Sequence, residues 1–161
     1  MKHSWLLLAI AATALGACAT RDAAPVASAK PEASTGVIDG VLAPQTLAPG
    51  ACALFLWTSD MPSRFVFFMR AGESSAKVQS PDGPEDLTLV SQEGSLMGQF
   101  STKAAFQTRS ARTVRLSFAA GEQIEGGQRI QNGRLVFLDA DGWETIMPVV
   151  GLAACEPASD S

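Results

Sequence analysis

The side chains that most often transfer protons in enzymes are scarce in this chain of 161 residues. It contains one histidine, His3, and no tyrosine. Without an imidazole in the body of the chain there is no Ser–His or Cys–His pair and no histidine-based zinc site. We therefore expect no catalytic residue, no metal site and no cofactor.

Carboxylates are the remaining groups that could perform acid–base chemistry. The candidates are Asp82, Glu85, Asp86, Glu93, Glu122, Glu125, Asp139, Asp141 and Glu144. Most of them lie beside Gly, Pro or Ser in predicted turns. The turn Asp139-Ala140-Asp141-Gly142 lacks the further acidic ligands of a calcium loop, and no glycine-rich phosphate loop follows a strand. We interpret the acids as solvated turn residues. A small cell-wall hydrolase with a pair of carboxylates remains an alternative.

The first residues of the chain have the pattern of an export leader. A positive start, Lys2-His3, precedes an apolar run over residues 5–15, and the motif Leu15-Gly16-Ala17-Cys18 follows. The run is too short for a bilayer, which needs about twenty apolar residues. The motif resembles the lipobox of bacterial lipoproteins.

This resemblance implies that residues 1–17 are removed and that Cys18 carries the lipid. Each buried methylene contributes about 0.8 kcal/mol, so the two or three acyl chains of a lipoprotein anchor it almost permanently. Ala19 follows the cysteine, and by the same resemblance the absence of Asp there favours the outer membrane, facing the periplasm. The alternative is a plain secretory leader in which Cys18 is incidental.

Charge limits the partners of the mature chain. Removing residues 1–17 leaves 11 basic and 16 acidic residues, a net charge of −5 instead of −4. Nucleic acids and anionic membrane surfaces both require clustered Lys and Arg. We expect no nucleic-acid partner, and membrane contact only through the lipid.

Two cysteines remain for the mature body, Cys52 and Cys155. In an oxidising envelope such a pair is most simply a disulfide, which would join the two ends of the folded body. Closing a loop of about a hundred residues would contribute on the order of 4 to 5 kcal/mol, less any native strain. The alternative is two unpaired buried cysteines.

Composition divides the chain into a tether and one domain. Residues 18–50 are rich in Ala, Pro and Ser and read as a flexible tether, although residues 36–42 are apolar enough to form either an edge strand or extended linker. Residues 51–155 form one domain, and residues 156–161 form a polar tail.

The domain is predicted to be all-β, because short apolar or alternating runs are separated by turn residues. Residues 113–118 alternate most clearly, and Asp141-Gly142 predicts a tight hairpin. We expect another turn at Glu93-Gly94-Ser95. Residues 103–112 could form a helical turn, although Ser, Thr and β-branched flanks disfavour it. About eight strands fit a small antiparallel barrel or a compact sandwich. The barrel is preferred because closure removes exposed edges.

Three strands are hydrophobic on both faces, whereas a barrel wall needs only one apolar face. The second face of the first hairpin would hold Phe55, Trp57, Val66 and Phe68. Either more of the chain covers these side chains, or they form an aromatic binding surface for a partner.

The arrangement of tether, small β-domain and one cysteine near each end resembles that of the membrane-bound lysozyme inhibitors. That family has a Tyr in its inhibitory pattern and a Trp before Lys-Gly, whereas here tyrosine is absent and Trp143 precedes Glu144-Thr145. The inhibitory residues therefore cannot be transferred to this chain. We expect a noncatalytic, lipid-anchored envelope protein that binds an envelope partner or assists an assembly, with a lysozyme-inhibitor-like protein as an alternative.

Overall fold

A computed structural model describes residues 39–159, and all regular elements in this range are strands. No helix in this part of the chain is long and apolar enough to cross a membrane. Each strand pairs antiparallel with the next, and the last pairs with the first, which confirms the predicted small barrel over the sandwich. The strands are β1 Cys52–Thr58, β2 Phe65–Arg70, β3 Ser75–Ser80, β4 Gly83–Met97, β5 Phe100–Thr108, β6 Thr113–Ile124, β7 Gly127–Leu138 and β8 Glu144–Cys155.

The interior of the barrel is filled by side chains. Alternate residues of each strand point inward, as Leu54 and Leu56 do on β1, opposite Met69 and Phe67 on β2. Across the barrel, Phe67 meets Phe106 edge to face, with ring centroids 5.6 Å apart. Burying each such side chain stabilises the fold by about 1.5–3 kcal/mol. Because these side chains occupy the interior, the concavities discussed below lie on the outside of the wall.

Strands β1 and β8 close the barrel along a continuous register from Cys52↔Cys155 to Thr58↔Val149. The predicted disulfide between Cys52 and Cys155 is present, and it joins the first strand to the last across 103 residues of sequence. At Gly151 the two strands approach so closely that a Cβ would lie 2.1 Å from the carbonyl oxygen of Phe55. The seam therefore combines a covalent bond with a close backbone approach.

Strand β4 is longer than the sequence predicted. The expected turn at Glu93-Gly94-Ser95 is wrong, since β4 continues to Met97 and the reversal lies at residues 98 and 99. The register with β5 shifts between Glu93 and Leu96, and Gly94 has a φ of 83°. Glycine adopts this conformation at little cost and commonly marks a β-bulge. The same residue type thus produced an irregularity inside the strand where a turn was expected.

The disfavoured helical turn over residues 103–112 is absent. Residues 103–108 belong to β5 and pair with β6 from Lys103↔Ser117 to Gln107↔Thr113. Ala104, Phe106 and Thr108 are buried, and this period of two is that of a strand. Pairing and burial on a sheet override weak local propensity.

Part of the segment assigned to the tether packs on the outside of the barrel. Leu42 is only 6% exposed, and its backbone N–H donates to the carbonyl oxygen of Phe65 at 2.8 Å. Residues 39–42 form no strand, while residues 36–38 of the predicted edge strand lie outside the described range. The folded body therefore includes residues 39–50 as a covering segment.

Candidate functional site

The aromatic residues predicted for the outer face of the first hairpin lie largely together. The ring centroid of Phe55 lies 6.3 Å from that of Trp57 and 5.2 Å from that of Phe68. Phe65, which the sequence reading did not include, lies 5.4 Å from Trp57. These four rings form a continuous row along the outside of β1 and β2, here called the aromatic row.

Val66 is not part of this row. It is fully buried and belongs to the cluster that fills the barrel interior. The reason is a register shift: Trp57 pairs with Phe65 and Leu56 pairs with Phe67, which leaves Val66 as an extra residue in β2. Such a bulge reverses the alternation of side chains. Simple alternation therefore placed Val66 outside and Phe65 inside, and the structure corrects both positions.

The covering segment shields one end of the aromatic row. Leu42, Ala53 and Phe68 form a second buried cluster outside the barrel, and Leu47, Phe55 and Phe65 pack against it. Phe68 is only 2% exposed, and the guanidinium carbon of Arg70 lies 5.1 Å from its ring centroid. At this end of the row, the apolar outer faces of β1 and β2 are covered by other residues of the same chain.

The other end of the row is more open and continues onto β8. Trp57 is half-buried and pairs with Val150, which is 41% exposed, and Phe55 pairs with Leu152, which is also half-buried. Trp57, Val150 and Leu152 line a concavity of about 520 Å³ that also includes Arg129. An apolar surface containing a Trp and bordered by an Arg has the composition of protein–protein interaction sites. We call Trp57, Val150 and Leu152 the open aromatic patch.

Several carboxylates weighed for acid–base catalysis surround a single guanidinium. Arg112 contacts Asp82 at 2.5 Å, Asp139 at 2.7 Å and Glu85 at 3.6 Å. The hydrogen bond to Asp82 raises the pKa of Arg112, opposed by burial and supported by the charges of Asp139 and Glu85. This arrangement suits a structural ion cluster at the ends of the strands, in which one guanidinium holds three carboxylates together.

The remaining predicted sites stand as follows. Cys52 and Cys155 are joined by the disulfide and are not free ligands or nucleophiles. Among residues 39–159 no group of three or more His, Cys, Asp or Glu side chains could hold a metal ion. Cys18, the predicted lipid-bearing residue, lies outside the described range.

One concavity was missed by the sequence reading. It has a volume of about 370 Å³, lies on the outside of β4 to β8, and includes Lys103, Arg115 and Arg134 in its lining. No strand was predicted over residues 103–112, so the outward position of Lys103 was not predicted. The available signal was the alternation of apolar and polar residues on β5, β6 and β7, and all three cations fall on the polar, outer face.

Comparison of the chain with protein-family models, with curated proteins and with solved structures gives no match.

Proposed function

We propose that this chain is a noncatalytic, lipid-anchored protein of the bacterial envelope, facing the periplasm from the outer membrane, whose barrel binds an envelope protein through the open aromatic patch. The observation that carries this proposal is the contrast along the aromatic row. The covering segment shields Phe68 almost completely, whereas the row continues past Trp57 onto the exposed side chain of Val150.

The chemistry of the patch favours a protein partner. Trp side chains dominate the binding energy of protein interfaces, and Arg is enriched around them. The concavity beside Trp57 is apolar along β8 and has Arg129 on β7 at its border. The filled interior also supports surface binding, because the ligand of this barrel would have to meet the outer wall.

The hydrolase alternative has less support. Three of its candidate carboxylates, Asp82, Glu85 and Asp139, are held around Arg112. Three further candidates also contact cations: Asp86 contacts Lys77 at 3.1 Å, and Glu144 with Arg115 and Glu122 with Arg129 are each 3.8 Å apart. The lysozyme-inhibitor alternative is consistent with a small barrel whose ends are joined by a disulfide. The inhibitory residues of that family, however, have no counterpart in this sequence.

The binding surface is tested by comparing two tryptophans. Trp57→Ala should cost only about 1 kcal/mol of stability but about 2 kcal/mol or more of partner affinity. Trp143→Ala is the matched control, because Trp143 is 51% exposed in the β7–β8 hairpin, away from the patch. The measurements are thermal melting and recovery of crosslinked partners from membranes.

Two results would contradict this role for the patch. A loss of about 3 to 5 kcal/mol in Trp57→Ala would mark Trp57 as a core residue. Equal partner recovery with Trp57→Ala and with Trp143→Ala would show that the partner binds elsewhere.

The lipid anchor is tested separately. Replacing Cys18 by Ser should leave an uncleaved or soluble precursor, because the lipoprotein peptidase acts after the thiol has been modified. Metabolic labelling with a fatty-acid analogue provides the measurement, and label that persists in Cys18→Ser would refute the assignment.

A further inference from the structure

The concavity on the outside of β4 to β8 is produced by the sizes of neighbouring side chains. Across the sheet, Lys103, Ser117 and Arg134 are aligned on β5, β6 and β7, and the adjacent row aligns Ala105, Arg115 and Val136. Ala105 and Ser117 are small, whereas their neighbours include three long cationic side chains. Strands are about 4.8 Å apart, so the side chains of Lys103 and Arg134 start roughly 10 Å from each other, on either side of Ser117. We call this concavity the cationic dish.

The dish contains basic side chains that have no ion pair, which is unusual among the described residues of this protein. Residues 39–159 contain nine basic residues, and seven of them lie within 4 Å of a carboxylate oxygen. The two described basic residues without such an ion pair are Lys103 and Arg134, and both line the dish. Arg115, the third cation, has a single carboxylate contact, with Glu144 at 3.8 Å.

The composition of the lining limits the charge of a ligand. Three cations and the two carboxylates of Glu93 and Glu144 leave the dish with one net positive charge, on a chain whose formal net charge is −4. A singly charged carboxylate would neutralise that charge, whereas a doubly charged phosphate would exceed it. Arg also binds carboxylates through two parallel hydrogen bonds.

The shape and the apolar part of the lining specify the rest of the ligand. Val136 lies between Arg115 and Ile146 across the sheet, and the small residue Ala105 lies on the other side of Arg115. A volume of about 370 Å³ lies at the small end of the range for ligand pockets, roughly 300–1,000 Å³. This volume suits one or two small residues rather than a long polymer.

We propose that the cationic dish binds the carboxyl terminus of a peptide with small apolar side chains. Lys103 and Arg134 hold the carboxylate over Ser117, and the side chains of the peptide lie against Val136 and Ile146. This site is separate from the open aromatic patch and goes beyond the protein-binding role proposed for that patch.

The test uses a matched pair of probes. N-acetyl-alanyl-alanine carries the carboxylate, and its C-terminal amide differs only in lacking the charge. Each is titrated into the ¹⁵N-labelled full chain in detergent micelles. The carboxylate should shift the backbone amide resonances of Ala105, Ser117 and Val136, and the amide should bind at least tenfold more weakly.

Variants connect the shifts to the dish. Lys103→Gln with Arg134→Gln should weaken carboxylate binding at least tenfold, because it removes the two cations that lack ion pairs. Arg109→Gln is the control, since Arg109 is an exposed cation on a turn that contacts Asp86. Ala105→Leu puts a larger side chain into the lining of the dish while keeping all its charges, and it should also abolish binding.

Each other outcome overturns the proposal. Equal binding of acid and amide would remove the role of the carboxylate, and shifts confined to the open aromatic patch would place the site there. Tighter binding of inorganic phosphate than of the peptide would contradict the single-charge assignment. Spectra of the variants without ligand show whether they are folded. A loss of binding is interpreted only for variants whose barrel is folded. Loss of partner recovery in Trp57→Ala is an independent readout, so either proposal can fail alone.

Discussion

The outer faces of two parts of the barrel differ in what lies over them. Outside β1 and β2, the chain places Leu42 and Leu47 against Ala53 and Phe68 and buries a second apolar cluster. Outside β5 to β7, the corresponding positions carry Lys103, Arg115 and Arg134, with no part of residues 39–50 among the lining residues. The comparison teaches that the protein's own chain partly covers the outer face where it is aromatic, on β1 and β2, and leaves it open where it carries long cationic side chains.

The covered side also contains the closing seam of the barrel, and breaking that seam is expected to have the largest effect. Replacing both Cys52 and Cys155 by Ser should lower stability by up to about 4 to 5 kcal/mol, because the unfolded chain regains the freedom of a loop of about a hundred residues. The measurement is thermal or denaturant unfolding of the variant beside the oxidised parent.

The same loss should appear when the parent is unfolded under reducing conditions. An unchanged melting temperature in both cases would show that the bond adds little to the hydrogen-bonded seam between β1 and β8.

Removing the cover should have the next largest effect. Leu42→Ala should cost about 2 to 3 kcal/mol, since Leu42 is 6% exposed and its loss leaves a cavity over Phe68. Val41→Ala is the matched control, because Val41 is 59% exposed and should change stability by less than about 0.5 kcal/mol. Denaturant unfolding measures both. Similar losses in the two variants would mean that the segment is not specifically docked through Leu42.

The same substitution, Ala to Leu, made on each outer face compares the two faces directly. Ala53→Leu should cost about 1 to 3 kcal/mol, because Ala53 is fully buried beneath the covering segment. Ala105→Leu should change stability by less than about 0.5 kcal/mol, because the dish has space for the added atoms. The measurement is the melting temperature of each variant compared with that of the parent. Equal destabilisation would contradict the distinction between a covered and an open face.

The smallest expected effect is electrostatic and lies where the covering segment begins. Arg64 contacts both Asp39 at 3.8 Å and Asp60 at 2.7 Å. A hydrogen bond from Thr58 and the charge of Arg64 lower the pKa of Asp60 below its ordinary value of 3.8. A lowered folded-state pKa stabilises the fold above the ordinary value, and this contribution is lost as the pH falls through the lowered one.

An NMR titration of the Asp60 carboxyl carbon measures this shift. Thr58→Val should raise the pKa of Asp60 toward 3.8, because it removes the largest contribution to the lowering. If the pKa were the same in both proteins, the hydroxyl of Thr58 would have no part in it.

Alternation and turn residues sufficed to predict the strand class, the barrel and several strands. The alternation over residues 113–118 lies within β6, and Asp141-Gly142 lies in the turn between β7 and β8. The pairing of Cys52 with Cys155 followed from their positions at the two ends of the domain. These features are local or depend only on chain ends, so the amino-acid order specifies them directly.

Other features depended on pairing between distant residues. The outward position of Phe65 and the burial of Val66 result from one extra residue in β2 opposite β1, and alternation alone cannot locate such a bulge. The single long strand β4 likewise required a partner that absorbs the irregularity at Gly94. Both errors reflect register, which is set by the partner strand and the turn geometry.

The candidate sites show the same division. The sequence identified Phe55, Trp57 and Phe68 as outward aromatic residues, but only the folded chain decided that Leu42 covers Phe68 while Trp57 meets the exposed Val150. The cationic dish assembles from β4 to β8, whose residues are separated by up to about fifty positions and share no local motif. By itself, the order of amino acids determined which side chains face outward only where a strand has no bulge, as for Phe55 and Trp57 on β1 and unlike Phe65 and Val66 on β2. The closed barrel determined which of them became neighbours, because cross-strand contacts follow from pairing across the whole sheet.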